Sequence, residues 1–175
     1  MAGKIHLEDM PKLKERATKP LARVNFDLFS SSETSIEGYN HAAIFADCNS
    51  GFKWLYVMKT KDELHQVVKT WYSDIADIRQ NHILVVVMRD NAGENKSREM
   101  IEFFLSKGDQ NYFSTAYEPW QDGLAESGIH STIRLARLAT TMSESGLGGR
   151  FWFSASTAGM DARNVICKQR FKTTP

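Results

Sequence analysis

The chain has 175 residues, 42% of them apolar and 25% charged, with a formal net charge of +1; this suits one soluble globular domain with a real core, not a fibrous, disordered or strongly basic chain. No apolar run approaches a membrane span, and the N-terminus lacks the apolar core of a signal peptide. Cys48 and Cys167 form no CxxC pair, and His6, His41, His65, His82 and His130 are scattered, which excludes a disulfide scaffold and a thiolate zinc module and points to a reducing compartment.

Charge is unevenly spread. Residues 1–23 carry six Lys/Arg against three acids, residues 160–175 carry four against one, and the stretch between carries twelve against seventeen. Basic ends around an acidic centre suit phosphate contact at the ends and cation binding in the middle. Solvated termini on a globular domain fit the same distribution.

Residues 1–20 read as a basic arm or linker that stops at Pro20. Residues 21–29, Leu-Ala-Arg-Val-Asn-Phe-Asp-Leu-Phe, read as a strand with Asp27 near its far end. A Ser/Gly turn follows over 30–40. His41–Asp47 and Phe52–Met58 are two β-rich runs joined at Cys48-Asn-Ser-Gly51, which reads as a hairpin. Asp62–Ile78 has helical spacing, with Leu64, Val67, Val68, Trp71, Ile75 and Ile78 on one side. His82–Met88 is a nearly continuous apolar run, as in a strand buried on both faces. Lys96–Lys107 reads as a helix, Asn111–Thr115 as a short edge strand and 116–123 as a loop. Leu124–Ser143 is helical, Ser145-Gly-Leu-Gly-Gly149 breaks it, and Arg150–Cys167 forms a last helix. The order βββαβαβαα implies a mixed sheet with helices on both faces, in which sites collect at strand ends.

Three carboxylates stand out. Asp27 lies inside an apolar run, where an unpaired carboxylate is costly to bury. Asp90 ends the most apolar strand. Glu126 opens a helix after a Pro119/Gly123 loop, with 35 residues between it and Asp90. Clustered carboxylate oxygens suit hard divalent cations, and two such cations can clamp a phosphodiester. Asp47 is the nearest decoy, but its hairpin position explains it as a turn residue.

Asp27, the stretch Arg89-Asp-Asn-Ala-Gly-Glu94 and the stretch Tyr117-Glu-Pro-Trp-Gln-Asp-Gly-Leu-Ala-Glu126 resemble the catalytic core of retroviral and retrotransposon integrases. The hairpin Phe45–Tyr56, the late Phe151-Trp-Phe-Ser-Ala155 and Asn164 resemble the copia-type branch in particular. The likeness runs over roughly residues 10–170. It implies an α/β fold of the ribonuclease-H-like kind, a five-stranded mixed sheet flanked by helices on both faces. The core would span 21–170, with a tail at 171–175. It implies two Mg²⁺ (or Mn²⁺) ions held by Asp27, Asp90 and Glu126, with Asp27 shared between them. It implies a DDE-type nucleotidyltransferase and endonuclease that trims 3′ DNA ends and joins them to target DNA. Such an enzyme acts in the nucleus on host DNA and otherwise sits in a cytoplasmic particle. Cores of this family commonly dimerise through helices packed on the sheet; residues 62–78 and 150–167 are the candidates here for a homodimer or higher oligomer, and no membrane is involved.

On a helix, Glu126, His130, Arg134 and Arg137 form one stripe, which offers His130, Arg134 and Arg137 to DNA phosphates. Exposed charges on a solvated face fit the same stripe. Tyr117, Gln121 and Asp122 belong to a loop that resembles the mobile catalytic loop of integrases, where Tyr117 and Trp120 can stack on a base or serve as buried anchors. The chain departs from the copia pattern at Ala92, at Ser30-Ser31, at Ser127 and at Asp122, an acid where the family carries an amide. The family's zinc-binding N-terminal module has no counterpart, so the expectation is a core piece or a remnant. The alternative to an active transferase is therefore a catalytically silent integrase-derived core that dimerises or binds nucleic acid.

Overall fold

The computed structural model describes residues 19–79, 86–89, 98–108, 110–113 and 148–165, together with residues 130 and 134. Among these residues the sheet has five strands in the order β3-β2-β1-β4-β5. β1 (Arg23–Ser30), β2 (His41–Asp47) and β3 (Lys53–Met58) form an antiparallel meander. β4 (Val86–Arg89) pairs parallel with the other side of β1, and β5 (Gln110–Phe113) pairs parallel with β4. The sheet is mixed, and β1 is the strand at which its direction changes.

Side chains alternate across a strand, and β1 uses both sides. Val24 and Phe26 are buried on one face; Asn25, Asp27 and Phe29 point to the other. The first face holds the main core. Phe26 stacks on Phe45, with ring centres 4.8 Å apart, and Phe45 lies flat on Trp71 at 4.3 Å with 5° between the planes. Offset aromatic pairs of this kind contribute roughly 0.5–1.5 kcal/mol beyond their buried area. Trp71 belongs to α1 (Leu64–Asp74), whose buried Leu64, Val67, Val68 and Trp71 follow helical spacing. Thr60 and Glu63 open this segment: the Glu63 carboxylate accepts from the Thr60 backbone N–H at 3.1 Å, which satisfies one orphan donor of the first turn.

The helix expected over 62–78 is interrupted. Ile75, at φ −90° and ψ 2°, ends α1, and α2 (Ala76–Arg79) begins immediately after it. Ile75 stays fully buried, but Ile78 is exposed; the break takes Ile78 off the stripe that its spacing assigned to it. α3 (Arg98–Ser106) lies on the same face as α1. It buries Met100 and Phe104, and Phe103 meets the Tyr72 ring edge-on at 5.4 Å. A crossover of this kind between β4 and β5 is what parallel strands require.

The opposite face is covered by α4 (Trp152–Val165), entered through a 3-10 turn at Gly148–Phe151. The last helix thus begins two residues later than its sequence boundary suggests. Its buried residues are Trp152, Ser156, Met160 and Asn164, one every fourth position. Asn164 closes the outer edge of the sheet. Its Oδ1 accepts from the Lys53 backbone N–H at 3.0 Å, and its Nδ2 donates to the Lys53 carbonyl at 2.8 Å. One buried side-chain amide thereby does for edge strand β3 what a neighbouring strand's backbone would do.

Candidate active site

Asp27 sits on the α4 face of β1, opposite Ile44 of β2, and is half-buried. Its Oδ1 accepts a hydrogen bond from the backbone N–H of Leu28 at 2.8 Å. Among the described residues the pairing with β4 runs as far as Phe26 opposite Arg89, one position before it. Because these two strands run parallel, the next residue along each chain is an acid, Asp27 in one case and Asp90 in the other. Asp90 itself lies outside the described residues, as do Glu126, Tyr117, Gln121, Asp122 and Arg137. His130 and Arg134 are both helical and exposed, and their spacing of four puts them on one helix face. Among the described residues no three His, Cys, Asp or Glu side chains come together as a metal group.

Asp47 has a different job. It is 2% exposed and fully engaged in the turn between β2 and β3. Its Oδ2 accepts from the Ser50 N–H at 2.8 Å and from the Ser50 hydroxyl at 2.7 Å, while Oδ1 accepts from the Leu21 N–H at 3.0 Å. Gly51 adopts φ 77° in the same turn, a conformation open to glycine at little cost. The turn assignment of this acid is therefore correct, while Asp27 lies within β1, three residues before its end.

The segment beyond Asp27 is fastened to the start of α4. Phe29 meets Trp152 edge-on at 5.3 Å, and Tyr39 meets Phe153 edge-on at 5.3 Å. The Ile36 N–H donates to the Arg150 carbonyl at 3.1 Å. The Ser154 hydroxyl donates to the Glu37 carboxylate at 3.4 Å. The Glu37 carboxyl is held below the ordinary glutamate range, chiefly by a backbone N–H, then by the hydroxyls of Ser35 and Ser154. Glu33 packs its carboxylate over Gly149, in the space where a Cβ would stand. Sequence reasoning did not reach these contacts. The regular four-residue burial of Trp152, Ser156, Met160 and Asn164 is the one signal that could have indicated them, because two polar residues on a buried stripe imply partners.

No family model matches the chain. It is 28% identical over 144 residues to the retrovirus-related Pol polyprotein from transposon TNT 1-94 of Nicotiana tabacum, with 78% of this chain aligned. The chain spans only 11% of that polyprotein's length. Its fold is similar to the integrase catalytic core domain of HTLV-2, solved in complex with magnesium, at a TM-score of 0.64 and 14% identity, covering 91% of this chain and 96% of that one. It is similar also to a chain of the simian T-cell lymphotropic virus intasome in complex with PP2A regulatory subunit B56 gamma, at a TM-score of 0.67 and 14% identity, covering 91% and 54%.

The fold is therefore that of a retroviral integrase catalytic core, of the ribonuclease-H-like kind. By sequence, the chain is a relative of the Pol polyproteins of copia-type transposons. Among the described residues no helix is long and apolar enough to cross a membrane.

Proposed function

We propose that this chain is the core of a DDE-type polynucleotidyl transferase, with 21–170 as its catalytic unit, that trims 3′ DNA ends and joins them to target DNA. Asp27, Asp90 and Glu126 would hold two Mg²⁺ or Mn²⁺ ions. Carboxylate oxygens are the donors such hard ions take, and Asp27, half-buried within β1 beside β4, fits that role. Bound there, the ions supply Lewis-acid charge to the reacting phosphodiester.

The chain's own residues have the remaining tasks. Asp27 stands on a strand held by β2 and covered by α4, so its carboxylate is fixed by the sheet. His130 and Arg134, exposed on one helix face, take DNA phosphates and set the register of the duplex without reading its sequence. Arg137 would add to that phosphate contact, and Tyr117, Gln121 and Asp122 would contact the DNA end. The partners are the DNA ends, the target DNA and a second copy of the chain. The protein acts in the nucleus on host DNA and otherwise in a cytoplasmic particle.

The observation that supports this reading most is the parallel register of β1 and β4, with Phe26 opposite Arg89 and an acid next along each chain. The test is nicking and strand transfer on short duplexes in Mg²⁺ or Mn²⁺. The wild-type chain should act only with metal, and Asp90→Asn should abolish the activity. Unchanged activity in that variant overturns the assignment.

A further inference from the structure

The two ends of α4 lie at opposite ends of the sheet. Trp152, at its start, packs on Phe29, beyond Asp27. Asn164, in its last turn, is bonded to Lys53. Lys53 pairs with Ala46 of β2, and Ala46 pairs with Asn25 of β1. One rung of the sheet, about 10 Å wide at the usual strand spacing, thus joins the finish of α4 to the beginning of β1. The uneven charge of the sequence thereby acquires a place. The stretches 1–23 and 160–175, with six Lys/Arg against three acids and four against one, both join the fold at this end.

Two arginines stand here. Arg23 opens β1 and, four residues before Asp27, belongs to the same face about 13 Å along the strand. Arg163 lies in the last turn of α4. Both are half-buried, and the Nε of each is buried with no hydrogen-bond acceptor among the described residues. A buried donor without an acceptor is costly, and a guanidinium presents its donors as a rigid fork. The helix dipole favours a cation in a last turn; that accounts for the charge of Arg163 but not for its unmatched Nε–H, and it has no bearing on Arg23. Lys19, exposed, adds a cation at the entry to β1. Of the nearby acids, Asp47 is taken up by Leu21 and Ser50, and Asp161 is exposed on α4.

We propose that this end of the molecule is a phosphate-binding surface for duplex DNA, separate from the metal site, in which Arg23 and Arg163 present guanidinium forks to the backbone. Phosphate oxygens are acceptors that such forks take. The contact is independent of sequence and of metal. Two basic stretches that converge on one end suit the continuous charge of a DNA backbone better than the scattered carboxylates of an acidic protein. The inference goes beyond the catalytic reading, since it needs neither Asp27 nor a bound ion.

The test uses the whole chain in EDTA with a short fluorescent duplex of arbitrary sequence. Anisotropy over a range of salt compares wild type with the Arg23→Gln/Arg163→Gln double variant. The double variant should bind about tenfold more weakly at about 0.1 M salt, with a salt slope shallower by about 1–2. Arg23→Lys/Arg163→Lys, which keeps the charge and loses the fork, should fall between the two. In NMR of the wild type, DNA should shift the Nε–H signals of Arg23 and Arg163. Unchanged affinity and slope in the double variant overturn the proposal. So do unmoved Arg23 and Arg163 signals while that of Arg134 moves, a result that leaves the catalytic reading intact. Displacement of the duplex by polyglutamate at equal charge also overturns it, in favour of an acidic protein partner. Shifted Arg23 and Arg163 signals in a chain that nicks no DNA with Mg²⁺ or Mn²⁺ support the proposal and remove the catalytic reading alone. If the double variant does not fold, the wild-type signals decide.

Discussion

Asp47 reaches across 26 positions of sequence to hold Leu21, its Oδ1 accepting the Leu21 backbone N–H at 3.0 Å. Leu21 stands at φ 59°, the left-handed region that costs a residue with a branched side chain roughly 1–2 kcal/mol. It is also 2% exposed, so its side chain is core. One carboxylate thus ties the entry of β1 to the turn that ends β2, and offsets a strained backbone with a charged hydrogen bond.

Asp47→Ala should therefore destabilise the fold by about 3 kcal/mol, from three lost hydrogen bonds to a buried carboxylate. It should leave Mn²⁺ affinity unchanged where the fold persists. Urea unfolding and calorimetry check the two halves. Loss of metal binding in a folded Asp47→Ala chain would show that the decoy acid had been dismissed wrongly.

The amide of Asn164 leads to a second expectation. Asn164→Leu keeps the volume and removes both bonds to Lys53, leaving a buried N–H and C=O unsatisfied. The cost should be about 2–4 kcal/mol. The opened edge should also make the variant more prone to associate through β3. Urea midpoints and light scattering read these effects; a change under about 0.5 kcal/mol would mean that the edge is satisfied some other way.

Gly149 looks indispensable from distance alone but should not be. The three atoms nearest a Cβ there all belong to the end of the Glu33 side chain, which can swing into solvent. Gly149 shows no left-handed backbone, and alanine is the better residue in helical turns by up to about 1 kcal/mol. Gly149→Ala should change stability by less than about 1 kcal/mol in either direction. A loss above about 3 kcal/mol in thermal or urea unfolding would show that the Glu33 carboxylate cannot leave.

Glu37 sets a pH dependence. Its folded value lies below its ordinary one, so its contribution is fully present above the ordinary glutamate range and is lost as pH falls through the lower folded value. Carbon-13 titration of the side-chain carboxyl should place its midpoint below about 4.3, the ordinary glutamate value. Ser154→Ala should move that midpoint up, though less than loss of the backbone hydrogen bond would. A midpoint at or above the ordinary value would contradict the bonding to Ser35 and Ser154.

Much of this fold is legible in the chain. The β-rich runs 41–47 and 52–58 and the turn at Cys48-Asn-Ser-Gly51 follow from local physics and lie within a residue of their expected bounds; of the apolar run 82–88, the described residues Val86–Met88 are strand. The break at Ile75 was not legible, because Ile75 keeps its place on the apolar stripe and only Ile78 leaves it. Of the candidate site, Asp27 could be read from a carboxylate inside a strand, and Asp47 could be set aside from turn chemistry. The link from Phe29 to Trp152 could not be read. No periodicity connects residues so far apart; only the layering of α4 on the sheet does.

The position of β1 in the sheet also bears on the order of assembly. Its partner β2, with β3 and α1 beyond it, comes from the chain immediately after it, whereas β4 joins it through the pairing of Arg23 with Val86. Short loops close at low entropic cost and quickly; long ones close later. We expect the meander and α1 to gather first, and β4 to dock onto an edge already made. If Asp27 and Asp90 hold metal as proposed, that capacity arises only once β4 has docked, late in folding.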